Sequence, residues 1–176
     1  MKTLRTERLT LRPLTIDDAA FLLDLLNDPD WLHFIGDRGV RTLEDAQTYL
    51  ANGPMQLYER HGFGPLVVER TGEGVPMGTC GLIKRDTLED VDIGYAFLPA
   101  FRGKGYALES ARAVLASAHD VPGLTRVVAI TTEDNDSSGR LLEKLGMRFD
   151  RLVRLGEDET LLRFYVVDLP ATPPTK

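Results

Sequence analysis

The stretch VDIGYAFLPAFRGKGYALESA, residues 91–111, constrains the fold of this chain more than any other. Apolar, β-branched and aromatic residues up to Leu98 read as a strand, which a glycine-bearing turn then ends. Beyond the turn, Ala107, Ala111, Val114, Leu115 and Ala118 recur at helical spacing along one face. That stripe is rich in small residues, so the helix can lie close against a sheet. RVVAITT (126–132) follows a Pro-Gly break and is short, continuously apolar and β-branched, as suits a strand buried on both faces. Strand, helix and buried strand in succession predict a parallel pair joined by a helical crossover, and hence a mixed α/β sheet.

Antiparallel elements surround this unit. RLTLRP (8–13) alternates as a first strand, and Thr15 then caps a helix with Asp18 at the capping-box position. NDPDWLHFIGDRGVR (27–41) reads as a polar, aromatic-bearing connection to a second helix, begun by Thr42 and closed by Gly53. GFGPLVVER (62–70), MGTCGLIKRD (77–86) and the strand ending at Leu98 form a meander separated by turn residues. SSGRLLEKLG (137–146) reads as a further short helix, and MRFDRLVRL and TLLRFYVVDL as a closing hairpin-like pair. No repeat or linker divides the chain, which is expected to form one domain over 1–169 with a flexible tail over 170–176.

Composition narrows the partners. With 176 residues and 43% hydrophobic content the chain can build a real core, and a formal net charge of -6 argues against nucleic acid as the dominant partner. Cys80 is the only cysteine, which rules out an internal disulfide or a multi-cysteine metal site, and it reads as a buried strand thiol. MKTLRTERLTLRP lacks an apolar signal segment and no stretch reaches the ~20 apolar residues of a membrane span, so a cytoplasmic protein without a membrane partner is expected.

The glycine turn fits neither familiar phosphate motif. A P-loop needs glycine where Leu98 stands and Ser or Thr where Gly105 stands, and the third Rossmann glycine falls on Leu108. Yet Gly103 and Gly105 would let successive backbone N–H groups turn inward at a helix start, with Arg102 and Lys104 supplying a local charge of +2. On these residues alone, a pyrophosphate nest and a glycine-eased turn with solvated basic residues stand level.

Over nearly its whole length the sequence resembles the GNAT superfamily of N-acetyltransferases, in the branch of RimJ and RimL. Arg102, Gly105 and Ala107 fill the family's Arg/Gln-x-x-Gly-x-Gly/Ala loop; Asn135, Ser138, Lys144 and Gly146 match a later segment; TERLTLRPLTIDDAAFLLDLLNDPD resembles the family's opening strand and helix. The resemblance implies a mixed, mostly antiparallel sheet of six to seven strands, flanked by about four helices. Its fourth and fifth strands, here 91–98 and 126–132, splay to admit the pantetheine arm of acetyl-CoA. Phe97 and Leu98 would then offer backbone groups to the arm, and Arg102, Gly103, Lys104, Gly105, Tyr106 and Ala107 would hold the pyrophosphate. Asn135 would contact the arm from the opposite side and Lys144 would reach a phosphate.

The implied reaction is direct attack of a neutral amine on the acetyl thioester, with no metal. A backbone N–H near Phe97 would stabilise the oxyanion, and Asp92 would orient or deprotonate the amine through water; a structural aspartate at the core rim is the equal alternative for Asp92. Many relatives place a tyrosine acid seven residues after the asparagine, where this chain has Leu142. Ser138 fits the serine of the RimJ and RimL branch, which implies a hydrogen bond to the sulfur, directly or by relaying a proton through water, although Ser137 or Ser138 would equally serve as a helix cap.

The resemblance also leaves the acceptor open between a protein N-terminal α-amine, as on a ribosomal protein, and a small amine. A free α-amine has a pKa of about 7.7–8.0 against about 10.4 for lysine, so deprotonating lysine costs about 3.5 kcal/mol more, which favours a weakly basic acceptor. Asp28, Trp31 and Phe34 are candidate acceptor contacts, with Asp30, Glu157, Asp158 and Glu159 as further attractors of a cation. An acyl-CoA-binding module without catalysis is the alternative function that Leu142 suggests, and the residues leave monomer and homodimer open.

Overall fold

A computed structural model describes residues 2–170, so the expected tail lies outside the described residues except for Pro170. The strands are β1 (Leu4–Arg5), β2 (Leu9–Pro13), β3 (Pro65–Arg70), β4 (Pro76–Ile83), β5 (Val91–Phe97), β6 (Arg126–Thr132), β7 (Arg148–Val153) and β8 (Leu162–Asp168). They form one sheet in the order β1-β2-β3-β4-β5-β6-β8-β7. Every neighbouring pair is antiparallel except β5 and β6, whose crossover is the helix α5 (Tyr106–Ser117), as the sequence predicted. The other helices are α1 (Ala19–Leu26), α2 (Pro29–Phe34), α3 (Leu43–Asn52), α4 (Pro54–His61) and α6 (Asp136–Lys144) among the described residues.

Three elements exceed the expected count. The eighth strand is β1, which pairs Leu4 with Leu11 and Arg5 with Thr10 and is too short to announce itself by alternation. Helix α2 lies inside the supposed connection 27–41, where Asp28 caps it and Pro29 occupies its first turn. Helix α4 begins at Pro54, immediately after the Gly53 that ends α3. Both prolines look like helix breakers in a linear reading, but the first turn of a helix has no use for their missing N–H.

Helices cover both faces of the sheet. Leu66 and Val68 of β3, Cys80 of β4, and Ile93 and Phe97 of β5 pack with Ala111 and Val114 of α5 and Leu142 of α6. Val67 points the other way, into a second cluster with Leu22, Leu25, Leu26, Ala46 and Leu50, against which Ala96 and Leu98 also pack. Cys80 is completely buried, and that burial pushes its thiol up to about 12, consistent with an inert strand cysteine.

Glu109 in the first turn of α5 fastens the β1–β2 turn to this helix. Its carboxylate accepts from Thr6 Oγ1 at 2.6 Å, from the Arg8 backbone N–H at 3.0 Å and from Arg8 Nε at 2.7 Å. Burial alone would raise the Glu109 pKa, but these donors outweigh it and hold the group below its ordinary 4.5. Since the folded carboxylate is the more acidic, its stabilisation is present above the ordinary value and is lost as pH falls through the folded one. Glu109→Gln should therefore lower unfolding free energy by about 1–2 kcal/mol near neutral pH. In urea titrations at several pH values, the gap from the parent protein should narrow as pH falls below the ordinary glutamate value of 4.5 and through the lower folded one.

Candidate active site

Strands β5 and β6 are in register at only two residue pairs, Val91 with Val127 and Asp92 with Val128. Each then stays with its outer neighbour: β5 follows β4 to Phe97, and β6 follows β8 to Thr132. The strands diverge, and a cleft of about 810 Å³ opens between them, lined by Tyr95, Ala129, Thr131, Asn135 and Ser138 among others. This is the splay that the resemblance implied.

Strand alternation decides which backbone groups enter the gap. Leu98 donates its N–H to the Met77 carbonyl at 2.9 Å, on the β4 side. Ala96 and Gly94 share that orientation, whereas Ile93, Tyr95 and Phe97 turn their N–H and C=O groups toward the gap. The Phe97 carbonyl is already bound by Arg102 Nε at 2.9 Å. Of the two residues expected to offer backbone groups, Phe97 thus faces the cleft with its N–H, while the Leu98 N–H is spent on β4; Tyr95 shares the orientation of Phe97.

The glycine turn is built as a concave backbone. Gly103 and Gly105 have φ of +72° and +82°, values that side-chain-bearing residues rarely adopt, and Gly105 caps α5. A Cβ on Gly105 would also lie 3.2 Å from the Arg8 guanidinium, which donates to the Lys104 carbonyl at 3.0 Å and covers the Tyr106 ring at 4.7 Å. Tyr106 and Ala107 begin the helix, so their N–H groups belong to its unpaired first turn. Lys104 is exposed on the turn.

Arg102 lines the same cleft but is already engaged within the chain. Its guanidinium pairs with Asp30 at 2.7 Å and with Asp28, which is buried. Asp28 is also the cap of α2, accepting from the Asp30 and Trp31 N–H groups at 3.2 and 3.4 Å. A buried carboxylate needs a cation and donors, and Asp28 receives both from within the chain. The side chains expected on the pyrophosphate and on the acceptor wall are therefore bound to each other. Trp31 and Phe34 of α2 do line the cleft, Trp31 half-buried with its Nε1–H on the Gly36 carbonyl at 3.1 Å. His33 Nε2 lies 2.7 Å from Asp134, linking α2 to the β6–α6 connection. Asp158 also lines the cleft; Glu157 and Glu159 are exposed on the hairpin turn.

Asp92 lies where β5 and β6 part, with only 1% of its surface exposed. Arg85 Nε is 3.0 and 3.1 Å from its two oxygens. Burial pushes the Asp92 pKa up, and the Arg85 guanidinium opposes this without cancelling it. Across the gap Asn135, not Ser137 or Ser138, caps α6, its side-chain oxygen accepting the Ser138 N–H at 3.1 Å. Capping therefore makes no demand on the Ser138 hydroxyl, which lies 2.6 Å from the Tyr95 hydroxyl. Tyr95 has no counterpart among the sequence candidates, because a tyrosine within an apolar strand reads as packing; its one signal was sharing a strand face with Ile93 and Phe97. Lys144 lines the cleft from the last turn of α6.

Residues 8–148 match the model of the acetyltransferase (GNAT) domain, and the chain belongs to that family. It is an acetyltransferase, and the family's donor is acetyl-CoA. An uncharacterized N-acetyltransferase of Bacillus subtilis, YoaA, is 26% identical over 86% of this chain and 85% of its own length. Among solved structures, an acetyltransferase from Agrobacterium tumefaciens superposes with a TM-score of 0.79 at 27% identity, covering 94% of each chain. RimL, a ribosomal L7/L12 α-N-protein acetyltransferase in complex with coenzyme A, shares the fold with a TM-score of 0.81 at 17% identity, covering 97% of this chain and 100% of its own.

Leu142, where the resemblance led a tyrosine to be expected, is 1% exposed and packs in the core shared with α5 beneath the cleft that it helps to line. Leu142→Tyr should therefore overpack that core and cost about 1–3 kcal/mol in chemical denaturation.

Proposed function

We propose that the cleft binds acetyl-CoA and that the acetyl group passes directly to an amine, either a protein or peptide N-terminal α-amine or a small amine. The observation that carries this reading is the unpaired run of β5 beyond Asp92, which ends at the glycine turn. An amide-bearing arm laid along β5 would restore the missing ladder through the Ile93, Tyr95 and Phe97 backbone groups, in the manner of strand addition. Its diphosphate would meet the N–H groups from Gly103 to Ala107, with Lys104 as the nearby cation. Arg102 supports this site by positioning the turn. Asn135 and Lys144 would flank the arm from α6.

Acetyl-CoA supplies a thioester already activated toward amines. The chain's part is to hold the thioester carbonyl against a backbone N–H at Tyr95 or Phe97, remove the amine proton and favour the leaving sulfur. Asp92 accepts the amine proton through water; a carboxylate made more basic by burial is better suited to this than a solvated one. Arg85 keeps it within reach of ionisation. Trp31 and Phe34 form the acceptor's apolar wall. RimL's action on an α-amine favours the N-terminal acceptor, as does the lower cost of deprotonating such an amine.

Thiol release from acetyl-CoA, measured with a panel of N-terminal peptides and small amines, tests the reading. Turnover with at least one amine is expected; tight CoA binding without turnover on any amine would instead identify a non-catalytic acyl-CoA module, which the buried Leu142 would then explain. Gly105→Val should abolish CoA binding in calorimetry while a folded thermal transition remains, because its φ of +82° disfavours a side chain and the Arg8 guanidinium would have to shift to admit one. Asp92→Asn should lower kcat about 10²-fold at neutral pH. The deficit should shrink as pH rises and the amine loses its proton unaided; a deficit independent of pH would assign Asp92 a structural role.

A further inference from the structure

The hydroxyls of Tyr95 and Ser138 meet at 2.6 Å across the gap where β5 and β6 no longer pair. The Tyr95 hydroxyl can also donate to the Ser138 carbonyl at 3.3 Å, so its one hydrogen is shared between two oxygens of the same residue, with Oγ the nearer by far. The tyrosine is largely buried, both residues line the cleft, and Asn135 already caps α6. The neighbouring Gly139 seats the helix start closely, since a Cβ there would come within 2.8 Å of the Tyr165 hydroxyl. Ser138 is therefore held by backbone capping on one side and by a phenol on the other.

We propose that Tyr95 is a positioning residue for the leaving sulfur: its hydroxyl donates to Ser138 Oγ and so directs the Ser138 hydrogen into the cleft, toward the departing thiolate. The proposal rests on the acetyl-transfer reading above. A phenol is a stronger donor than an aliphatic alcohol, which makes Tyr95 the donor in the pair and leaves the serine hydrogen for a third group. Burial raises the Tyr95 pKa further, so the phenol stays protonated throughout the neutral range.

In the step itself, the amine nitrogen forms its bond to the acetyl carbon and the C–S bond breaks, with the electron pair going to sulfur. The Ser138 hydrogen bond, strengthened by Tyr95 behind it, holds this charge without surrendering a proton. A thiol has an ordinary pKa of about 8.5 and a buried phenol a higher one, so the sulfur draws its proton from solvent and not from Tyr95. The proton lost by the amine balances the one gained by sulfur. Position 142 offers only an apolar side chain, so the hydroxyls that face the leaving sulfur are this pair, one on β5 and one at the start of α6.

The test is a mutant cycle of Tyr95→Phe, Ser138→Ala and the double variant, with kcat and the KM for acetyl-CoA measured beside the parent enzyme. Tyr95→Phe keeps the ring and its packing. Ser138→Ala should lower kcat about 100-fold and Tyr95→Phe about 10-fold, each with KM changed less than about twofold, as for loss of a donor used only in the transition state. The double variant should be no slower than Ser138→Ala, because Tyr95 acts through that serine. Unchanged kcat in Tyr95→Phe, penalties that multiply, or a loss confined to KM would each overturn the proposal. If Tyr95→Phe does not fold, 3,5-difluorotyrosine at position 95 decides: its more acidic phenol donates more strongly to Ser138 and should raise kcat at neutral pH, and a kcat equal to the parent's would refute the positioning role. A parent enzyme that turns over no amine refutes the acetyl-transfer reading itself, an outcome distinct from a parent that turns over and a Tyr95 variant that matches it.

Discussion

The ladder between β5 and β6 stops after two residue pairs, and the functional half of the molecule depends on its stopping there. Two parallel strands of seven residues each would ordinarily zip together, because a buried backbone group left without a partner costs about 1–3 kcal/mol. Here each strand is pulled outward by a full antiparallel ladder, β5 by β4 and β6 by β8. Their inner edges are left facing each other across open space, where water or a ligand with its own amides can satisfy them. The Tyr95–Ser138 contact spans this gap by side chains in place of backbone.

The glycine turn is held from two directions. Arg8, itself fixed by Glu109, grips the Lys104 carbonyl from the β1–β2 side. From the side of α2, Arg102 ties the Phe97 carbonyl to Asp28 and Asp30. A concave backbone with two positive-φ glycines has many alternatives in a free chain, and these braces exclude most of them before any ligand arrives. The arginines around the turn serve mainly as architecture.

Local patterns made much of this legible in the sequence. The strand, turn and crossover helix at 91–118 follow from residue pattern, and Thr15 with Asp18 forms the capping box as read, Asp18 accepting the Thr15 backbone N–H; Thr42 begins its helix as read, with Asp45 completing a box that had not been foreseen. What escaped was nonlocal or disguised. Asp28 and Arg102 are 74 positions apart, and Tyr95 and Ser138 are 43 apart; no spacing rule connects such pairs. The helices α2 and α4 were hidden by initial prolines, and β1 by its two-residue length. The parity of β5 also lay beyond the sequence, because a one-residue change of register would have exchanged Leu98 for Phe97 at the gap.

The pairing of Arg102 also changes how the turn grips an anion. Read linearly, the turn carries two cations, but the charge of Arg102 is already answered by Asp28 and Asp30. What remains is one exposed lysine and a set of oriented N–H dipoles at a helix start. Mobile ions weaken the pull between full charges over distances of about 8–10 Å, whereas a hydrogen bond formed at contact is little affected. Such a site is comparatively indifferent to the ionic strength around it and selects its ligand by shape.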